Sequence, residues 1–290
     1  MIDLNARFSP SQAETDLSPI GQPLSERVGA NRPPAKFWMS RTVSVLTIVA
    51  LLLLWTASAE LKLVSPLFLP SPLSVAQKFI KVSIDGYVDS TLLVHVTASL
   101  CRVFSALLLA FAIGVPVGLS IGLSPIGRGV FDPILEFIRP IPPLAYLPLV
   151  IIWFGIGEPS KVLVIAIAML APIALSTAAG VRDVSAERVH AAQSLGASAR
   201  QTILHVVLPS ALPSIITGVR IALGAGWTTL VAAELIAATR GLGFMIQSAA
   251  QFLVTDVVIM GIFVIALIAF VFEFGLRFLE ARLVPWAGRE

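Results

Sequence analysis

Apolar residues gather into six long runs along this chain, and polar residues are confined to the intervals between them. The runs cover 43–59, about 103–123, about 143–154, 162–181, about 215–238 and 257–278. A helix rises 1.5 Å per residue, so about 20 apolar residues cross the hydrocarbon core of a bilayer. Most of the runs reach that length and predict membrane-spanning helices. The third is short, is extended by Ile138 and Ile141, and carries Pro140, Pro142, Pro143 and Pro148. Proline survives in a membrane helix only where neighbouring groups take up the freed carbonyls. This run is therefore predicted to be kinked and to sit inside the bundle rather than against lipid. The fold class that follows is all-α, a polytopic membrane protein with six transmembrane helices.

Two intervals carry structure of their own. In 65–80, SPLFLPSPLSVAQKFI, the prolines extend the chain until Ser71 caps a helix with Pro72 at its first position. Val75, Phe79 and Ile80 are predicted to share its apolar face, with Gln77, Lys78 and Lys81 in water, as in an interfacial helix. The second interval, 189–215, reads VHAAQSLGASARQTILHVVLPSALPSI. Asp183 or Ser185 can cap a helix from about Ala186, with Val189, Ala192, Leu195 and Gly196 on one side. Ala191, Ala192, Gly196 and Ala197 leave that helix nearly bare, which lets its backbone enter a groove on another protein. Gly196 costs about 1 kcal/mol of helix stability relative to Ala, and close approach or a C-cap accounts for it. Leu208-Pro209 is read as the end of a second short helix, and Pro213 as the restart of the chain at the fifth run. The alternative is a helix resting on lipid, but such helices carry Lys on one face and bulky residues on the other, and this one lacks lysine and aromatics.

Composition agrees with the pattern. The chain is 57% hydrophobic and 13% charged, with a mean hydropathy of +0.91, against about 25% charged in a soluble domain. A net charge of +3 without basic patches and interleaved aromatics excludes a nucleic-acid binder. The single cysteine, Cys101, has no disulfide or metal partner in sequence and reads as a buried packing residue. Residues 1–36 are polar, lack the features of a signal peptide, and read as a disordered cytoplasmic tail; 37–290 reads as one transmembrane domain. With the N-terminus inside, the short inner intervals hold Arg7, Arg27, Arg32, Lys36, Arg41, Arg128, Arg182, Arg188, Arg200, Arg277, Arg282 and Arg289. The outer ones hold Lys62, Lys78, Lys81, Lys161 and Arg240. The positive-inside rule then predicts both termini, and the segment 183–210, on the cytoplasmic face.

Few residues carry chemistry. Glu234 lies inside the fifth run, where an ionised carboxylate costs about 2.5–3.5 kcal/mol on insertion scales. It is either a pathway or gate residue, or the partner of a basic group such as Arg240 or Arg102. Trp227, Thr228 and Thr229 follow Gly224 and Gly226 on the same helix. Their hydroxyls and ring face either line a pathway or serve their own helix and its packing. Glu136 and Arg139, three residues apart, predict a local ion pair. His95 and His205 stand without ligand partners, and no metal or cofactor site is predicted. His-Glu-x-x-His and closely paired carboxylates are absent, which argues against a membrane enzyme. The dipeptide Gly-Lys occurs nowhere, so the chain has no Walker motif. The broken third run and Glu234 keep an ion-coupled secondary transporter as the rival reading.

The pattern Ala191-Ala192, Gly196, Ile203 and Leu208-Pro209 resembles the cytoplasmic loop of ABC importer permeases. His190 stands where that family usually has Glu. The stretch RPIPPLAYLPLVIIWFGIGEPSKVLVIAIAMLAP (139–172) resembles the branch serving sulfonates, nitrate and taurine. GWTTLVAAELIAATRGLGFMIQSAAQFLVTDVV (226–258) is most similar to taurine-importer permeases, and SPLFLP (65–70) and LVPWAG (283–288) agree. The resemblance covers about 60–288. It implies a type I ABC importer permease (MetI-like) fold in a bacterial inner membrane. It also implies two ATP-binding subunits, a second permease copy and a periplasmic substrate-binding protein, besides membrane lipid. Ala191, Ala192, Leu195, Gly196 and Ala197 become the coupling helix that seats in the ATP-binding subunit. Trp227, Thr228, Thr229 and Glu234 become candidates for the translocation pathway. Taurine or a related small sulfonate is the implied solute, with nitrate or an alkanesulfonate as the alternative.

Overall fold

The structure is a computed structural model and describes residues 35–284. The predicted tail lies outside these residues except for its last two, and 285–288 of the LVPWAG block also lie outside. The chain forms two units, one ending at Leu54 and one beginning at Trp55. The described part of the first is the helix α1 (Ala35–Glu60) up to Leu54, with Leu46, Leu51, Leu53 and Leu54 all exposed.

The second unit continues with α2 (Pro72–Asp85), α3 (Leu92–Leu123), α4 (Pro125–Ile138), α5 (Pro143–Phe154) and α6 (Glu158–Arg182). Then come α7 (Ala186–Ser194), α8 (Ala199–Thr202), a π-turn (Ile203–Val207), α9 (Leu208–Ala237), α10 (Leu242–Gln251) and α11 (Thr255–Leu283). Among the described residues there is no strand, and five helices are long and apolar enough to span a membrane. The pair α4 and α5 meets the same criterion only when taken together, and is bent by 103° at the break between them.

The central pack is α3, α6 and α9. Val103, Ala106 and Ala110 meet Ile165, Met169 and Ile173, and both meet Ala222, Leu223 and Leu230. Lipid tails are as apolar as these side chains, so the drive to associate comes from close packing rather than from escape from water. Small residues make that packing possible. Gly114, Gly118 and Gly122 recur every fourth residue on α3, and a Cβ on Gly118 would collide with the Ala174 carbonyl and Thr177 of α6. A Cβ on Gly218 of α9 would come 2.6 Å from the Ser176 Cβ of α6. A second cluster joins α2, α10 and α11 through Val75, Val82, Leu242, Met245, Val257 and Met260.

Several expectations are corrected. In α2, Ser71 does cap the helix, accepting from the Ser74 N–H, and Pro72 does begin it. The inward face, however, is Val75 and Val82, two turns apart, while Phe79 and Ile80 are exposed. Lys78 leans inward to Asp256 at 3.2 Å, because α2 packs on the start of α11 instead of lying free. The proline-rich third run is not wholly interior: Leu147 and Val150 are buried, but Leu144, Leu149, Ile152, Trp153 and Phe154 are exposed. The backbone disruption is concentrated at 139–142, where the chain turns, and α5 beyond it is regular enough to leave a face open. Leu208-Pro209 does not end a helix, and Pro213 does not restart one, since α8, the π-turn and α9 run on without a gap. The wider π-turn, closed by the Leu208 N–H on the Ile203 carbonyl, makes room for the Pro209 ring. Cys101 is exposed, not buried, because the packed face of α3 is set by Ser99, Arg102, Val103 and Ala106.

Gly118→Val should force α3 from α6 and destabilise the chain by about 1–3 kcal/mol. The measurement is the thermal unfolding midpoint in detergent. Gly129→Ala, at a position with nothing within 4 Å, is the control and should leave the midpoint unchanged.

Candidate functional site

Three places hold the predicted site residues, Trp227 excepted. The first is the loop between α6 and α9. Glu187 sits in the first turn of α7, where a carboxylate opposes the positive helix end. Its far end closes in a Schellman motif: the Gly196 N–H donates to the Gln193 carbonyl and the Ala197 N–H to the Ala192 carbonyl. Gly196 has φ +84°, the left-handed conformation that this cap requires, and its Cα faces open space. Between the two explanations for Gly196, the C-cap is the one this chain displays. Ser198 and Gln201 then form a capping box that starts α8. The predicted single face divides. Val189 packs back on Val181, Val207 and Ala211, and Ala192 is half-buried. Ala191, Leu195 and Gly196 are exposed, Leu195 at 90%.

The second place is a cavity of about 240 Å³ between the α4–α5 break, α6 and α9. Arg139, Ile141, Pro143 and Tyr146 line it from the break, Ile167, Ala168, Ala171 and Pro172 from the middle of α6, and Ala225, Thr228 and Thr229 from α9. Both threonine hydroxyls donate to the Ala225 carbonyl at 2.8 Å. Arg139 and Glu136 form no ion pair with each other among the described residues, contrary to expectation, and both are exposed. Arg139 belongs to the break, past the last turn of α4, and is one of the cavity's lining residues. Trp227 is elsewhere: it is buried at 8% in the central pack, with its ring 6.2 Å from that of Phe272. Gly226 meets Met169, while Gly224 faces open space, so only one of the two glycines serves packing.

The third place is built around Glu234, which is fully buried. Its Oε1 accepts from Ser99 Oγ at 2.7 Å and Arg102 Nη1 at 2.6 Å, and its Oε2 accepts from the Gly243 N–H at 2.7 Å. Arg102 is therefore the basic partner. Arg240 contributes only its carbonyl, which accepts from Arg102 Nη1 at 2.7 Å. The rest of the guanidinium grips Glu158 in two bonds, of 2.6 and 2.8 Å, and Lys161 reaches the same carboxylate at 2.9 Å. Gly241, Leu242 and Gly243 begin α10 without a side-chain cap of their own. Their N–H groups donate instead to His95 Nδ1, Ser99 Oγ and Glu234 Oε2. His95 Nε2 lies 3.0 Å from the Tyr87 carbonyl. Gly241, at φ +134°, has no substitute, since a Cβ there would strike the Glu234 carboxylate. Two acids, two bases and a helix N-terminus thus tie α3, α6, α9 and α10 together, with no unpaired charge among them.

Sequence reasoning missed most of this cluster. The second apolar run starts at about 103, which leaves Arg102 just outside it in sequence, yet α3 begins at Leu92 and Arg102 is well inside it. An arginine and a glutamate in separate apolar runs were the available signal. The participation of Ser99, His95 and Glu158 had none. Among the described residues no group of His, Cys, Asp or Glu could hold a metal.

Removing one partner from a buried pair strands the other charge, at a cost of about 3–5 kcal/mol. Arg102→Gln should therefore lower the unfolding midpoint in detergent far more than Glu158→Gln, since the Glu158 side chain is 58% exposed and hydrates readily. Equal losses would contradict the central place of the Arg102–Glu234 pair.

Comparison with known proteins agrees with this architecture. Residues 114–285 match the family described as binding-protein-dependent transport system inner membrane component. The chain is 55% identical over 268 residues to the taurine transport system permease protein TauC of Escherichia coli strain K12, covering 91% of this chain and 98% of that one. It is 36% identical over 257 residues to the putative aliphatic sulfonates transport permease protein SsuC of the same organism, covering 87% and 95%. A structure of the MetNI methionine ABC transporter in an inward-facing conformation shares the fold, with a TM-score of 0.56 at 20% identity over 64% of this chain and 93% of that chain. The chain thus belongs to the inner membrane component family of binding-protein-dependent transport systems, as a multi-pass transport subunit.

Proposed function

We propose that this chain is the permease subunit of an ATP-driven importer that carries taurine across the bacterial inner membrane. The observation that carries this reading is the 55% identity to a taurine permease across nearly the full length of both chains. The relative at 36% identity is named for aliphatic sulfonates, and the sulfonate group is common to both solutes. ATP is hydrolysed on a separate subunit, because this chain carries no phosphate-binding loop. Two ATP-binding subunits, two copies of this chain and a soluble substrate-binding protein make up the working complex. Both termini and the loop from α6 to α9 face the cytoplasm, the side favoured by the arginines and lysines of the short loops.

In this reading α7 is the coupling helix. Val189 ties it to the body of the chain, while Ala191, Ala192, Leu195, Gly196 and Ala197 form the tip offered to the ATP-binding subunit. Leu195 is supported as the central contact by its exposure, which is extreme for a leucine on a helix end. The small residues around it let the partner surface close in. Movement of the motor then reaches α6 and α9 directly, since α7 is joined to one by a short turn and to the other through α8 and the π-turn. Thr228 and Thr229 line the pathway, supported by their place on the mid-span cavity. Glu234 and Trp227 hold its walls, the first through Arg102 and the second through the central pack.

The reading is tested in proteoliposomes holding this chain, its ATP-binding subunit and its binding protein: taurine uptake should require all three and ATP. Uptake by the purified chain alone under an ion gradient would sink it in favour of a carrier. Leu195→Asp should insert normally yet bind the ATP-binding subunit about tenfold more weakly, the equivalent of about 1.4 kcal/mol, and lose uptake in step. Undiminished co-purification and uptake would remove Leu195 from the interface.

A further inference from the structure

The cavity lined by Arg139, Tyr146, Thr228 and Thr229 sits at mid-depth. It faces Ile167, Ala168, Ala171 and Pro172 in the middle of α6, and the break in the α4–α5 span. Non-helical backbone at that depth is tolerated where it lines a watery cavity. The same holds for a fixed charge, which lipid would otherwise penalise. Arg139 is such a charge: its guanidinium forms no hydrogen bond or ion pair among the described residues and is exposed. The Tyr146 hydroxyl, at the start of α5, likewise makes no hydrogen bond among them. No aspartate or glutamate is among the lining residues.

The opposite wall has the reverse polarity. Thr228 and Thr229 each spend their one hydroxyl proton on the Ala225 carbonyl. What the two oxygens have left to offer is lone pairs, so they accept hydrogen bonds and do not donate them. This turns round the simplest expectation for the threonines, which is that their hydroxyls bond a sulfonate.

We propose that this cavity is a polarity-sorted transit subsite for a small zwitterion, in which Arg139 and Tyr146 receive the sulfonate and the Thr228 and Thr229 oxygens receive the ammonium. The assignment rests on the function proposed above and deepens it. A guanidinium presents a planar fork of donors that matches the oxygens of an anionic head. Two neutral acceptors are enough to orient an ammonium without trapping it, which suits a site that must release its occupant. At about 240 Å³ the cavity is below the usual range of about 300–1,000 Å³ for drug-sized ligands, as a two-carbon solute requires. The arrangement also discriminates: a cationic amine lacking the anionic head would meet Arg139 with like charge and find no carboxylate.

The test uses the complete complex in proteoliposomes, with taurine as the probe, and reads uptake alongside the ATP hydrolysis that loaded binding protein stimulates. Arg139→Gln should lower uptake about tenfold or more, as expected for loss of charge-assisted hydrogen bonds, while stimulated hydrolysis stays close to wild type. Arg139→Lys should recover part of the uptake. Tyr146→Phe, which removes a single hydroxyl, reads the same split if Arg139→Gln does not assemble. Uptake unchanged in Arg139→Gln and Tyr146→Phe would overturn the subsite, as would uptake and hydrolysis falling together in equal measure, which assigns these residues to the structure alone. A wild-type complex that imports no taurine overturns the function proposed above and this subsite with it, whereas normal wild-type import with unaffected variants overturns the subsite alone.

Discussion

Lipid offers neither hydrogen bonds nor counter-charges, and every unusual feature of this chain answers that constraint. A buried arginine in the second span would be untenable alone. Here Arg102 is surrounded by Glu158, Glu234 and the Arg240 carbonyl, so that its donors are engaged. Glu234 in turn takes the hydroxyl of Ser99 and the first turn of α10. The exposed N–H groups of a helix start are as costly in this setting as a charge. Using one to satisfy the other removes both costs at once and fixes four helices relative to each other.

The constraint has a second consequence in the core. Without a hydrophobic drive between helices, association depends on how closely backbones can approach, and α3, α6 and α9 are furnished with glycine, alanine and serine where they cross. Close packing of that kind is stiff. In the function proposed above it suits walls that move as bodies, driven from the loop end, and the departures from regular α-helix lie elsewhere: at the α4–α5 break and at the π-turn that leads into α9. In the function proposed above, the π-turn is where force from α7 and α8 would enter α9, and it absorbs Pro209 without interrupting the helix.

Charged residues within the spanning helices differ in kind. In the cluster around Glu234 each base is paired with an acid, which is the mark of a structural joint. Arg139 has no partner among the described residues, and it stands on a cavity beside a break in the helix. In the subsite proposed above, this open cation is the one reserved for something that passes, while Arg102 and Lys161 are neutralised within the protein.

Some of this was legible without coordinates. The count of spans, the capped start of α2 at Ser71, the interruption in the third span and the helix from Ala186 all follow from local rules of hydropathy, proline and capping, which act over a few residues. The loop motif and the long blocks around Trp227 were sufficient to indicate the family. What the sequence could not supply is the pairing of residues distant along the chain. Ser99 and Arg102 meet Glu234 across more than 130 positions, and Phe79 and Val75 differ in burial only because α11 arrives on one side of α2. Likewise, nothing local says that the Thr228 and Thr229 hydroxyls are committed to Ala225 while Arg139 is left open across the cavity. Local chemistry decides which segments become helices and where they begin. Which charges cancel, and which are left open, depends on how those helices pack, because in lipid a charge is acceptable only where another element brings it a partner or water.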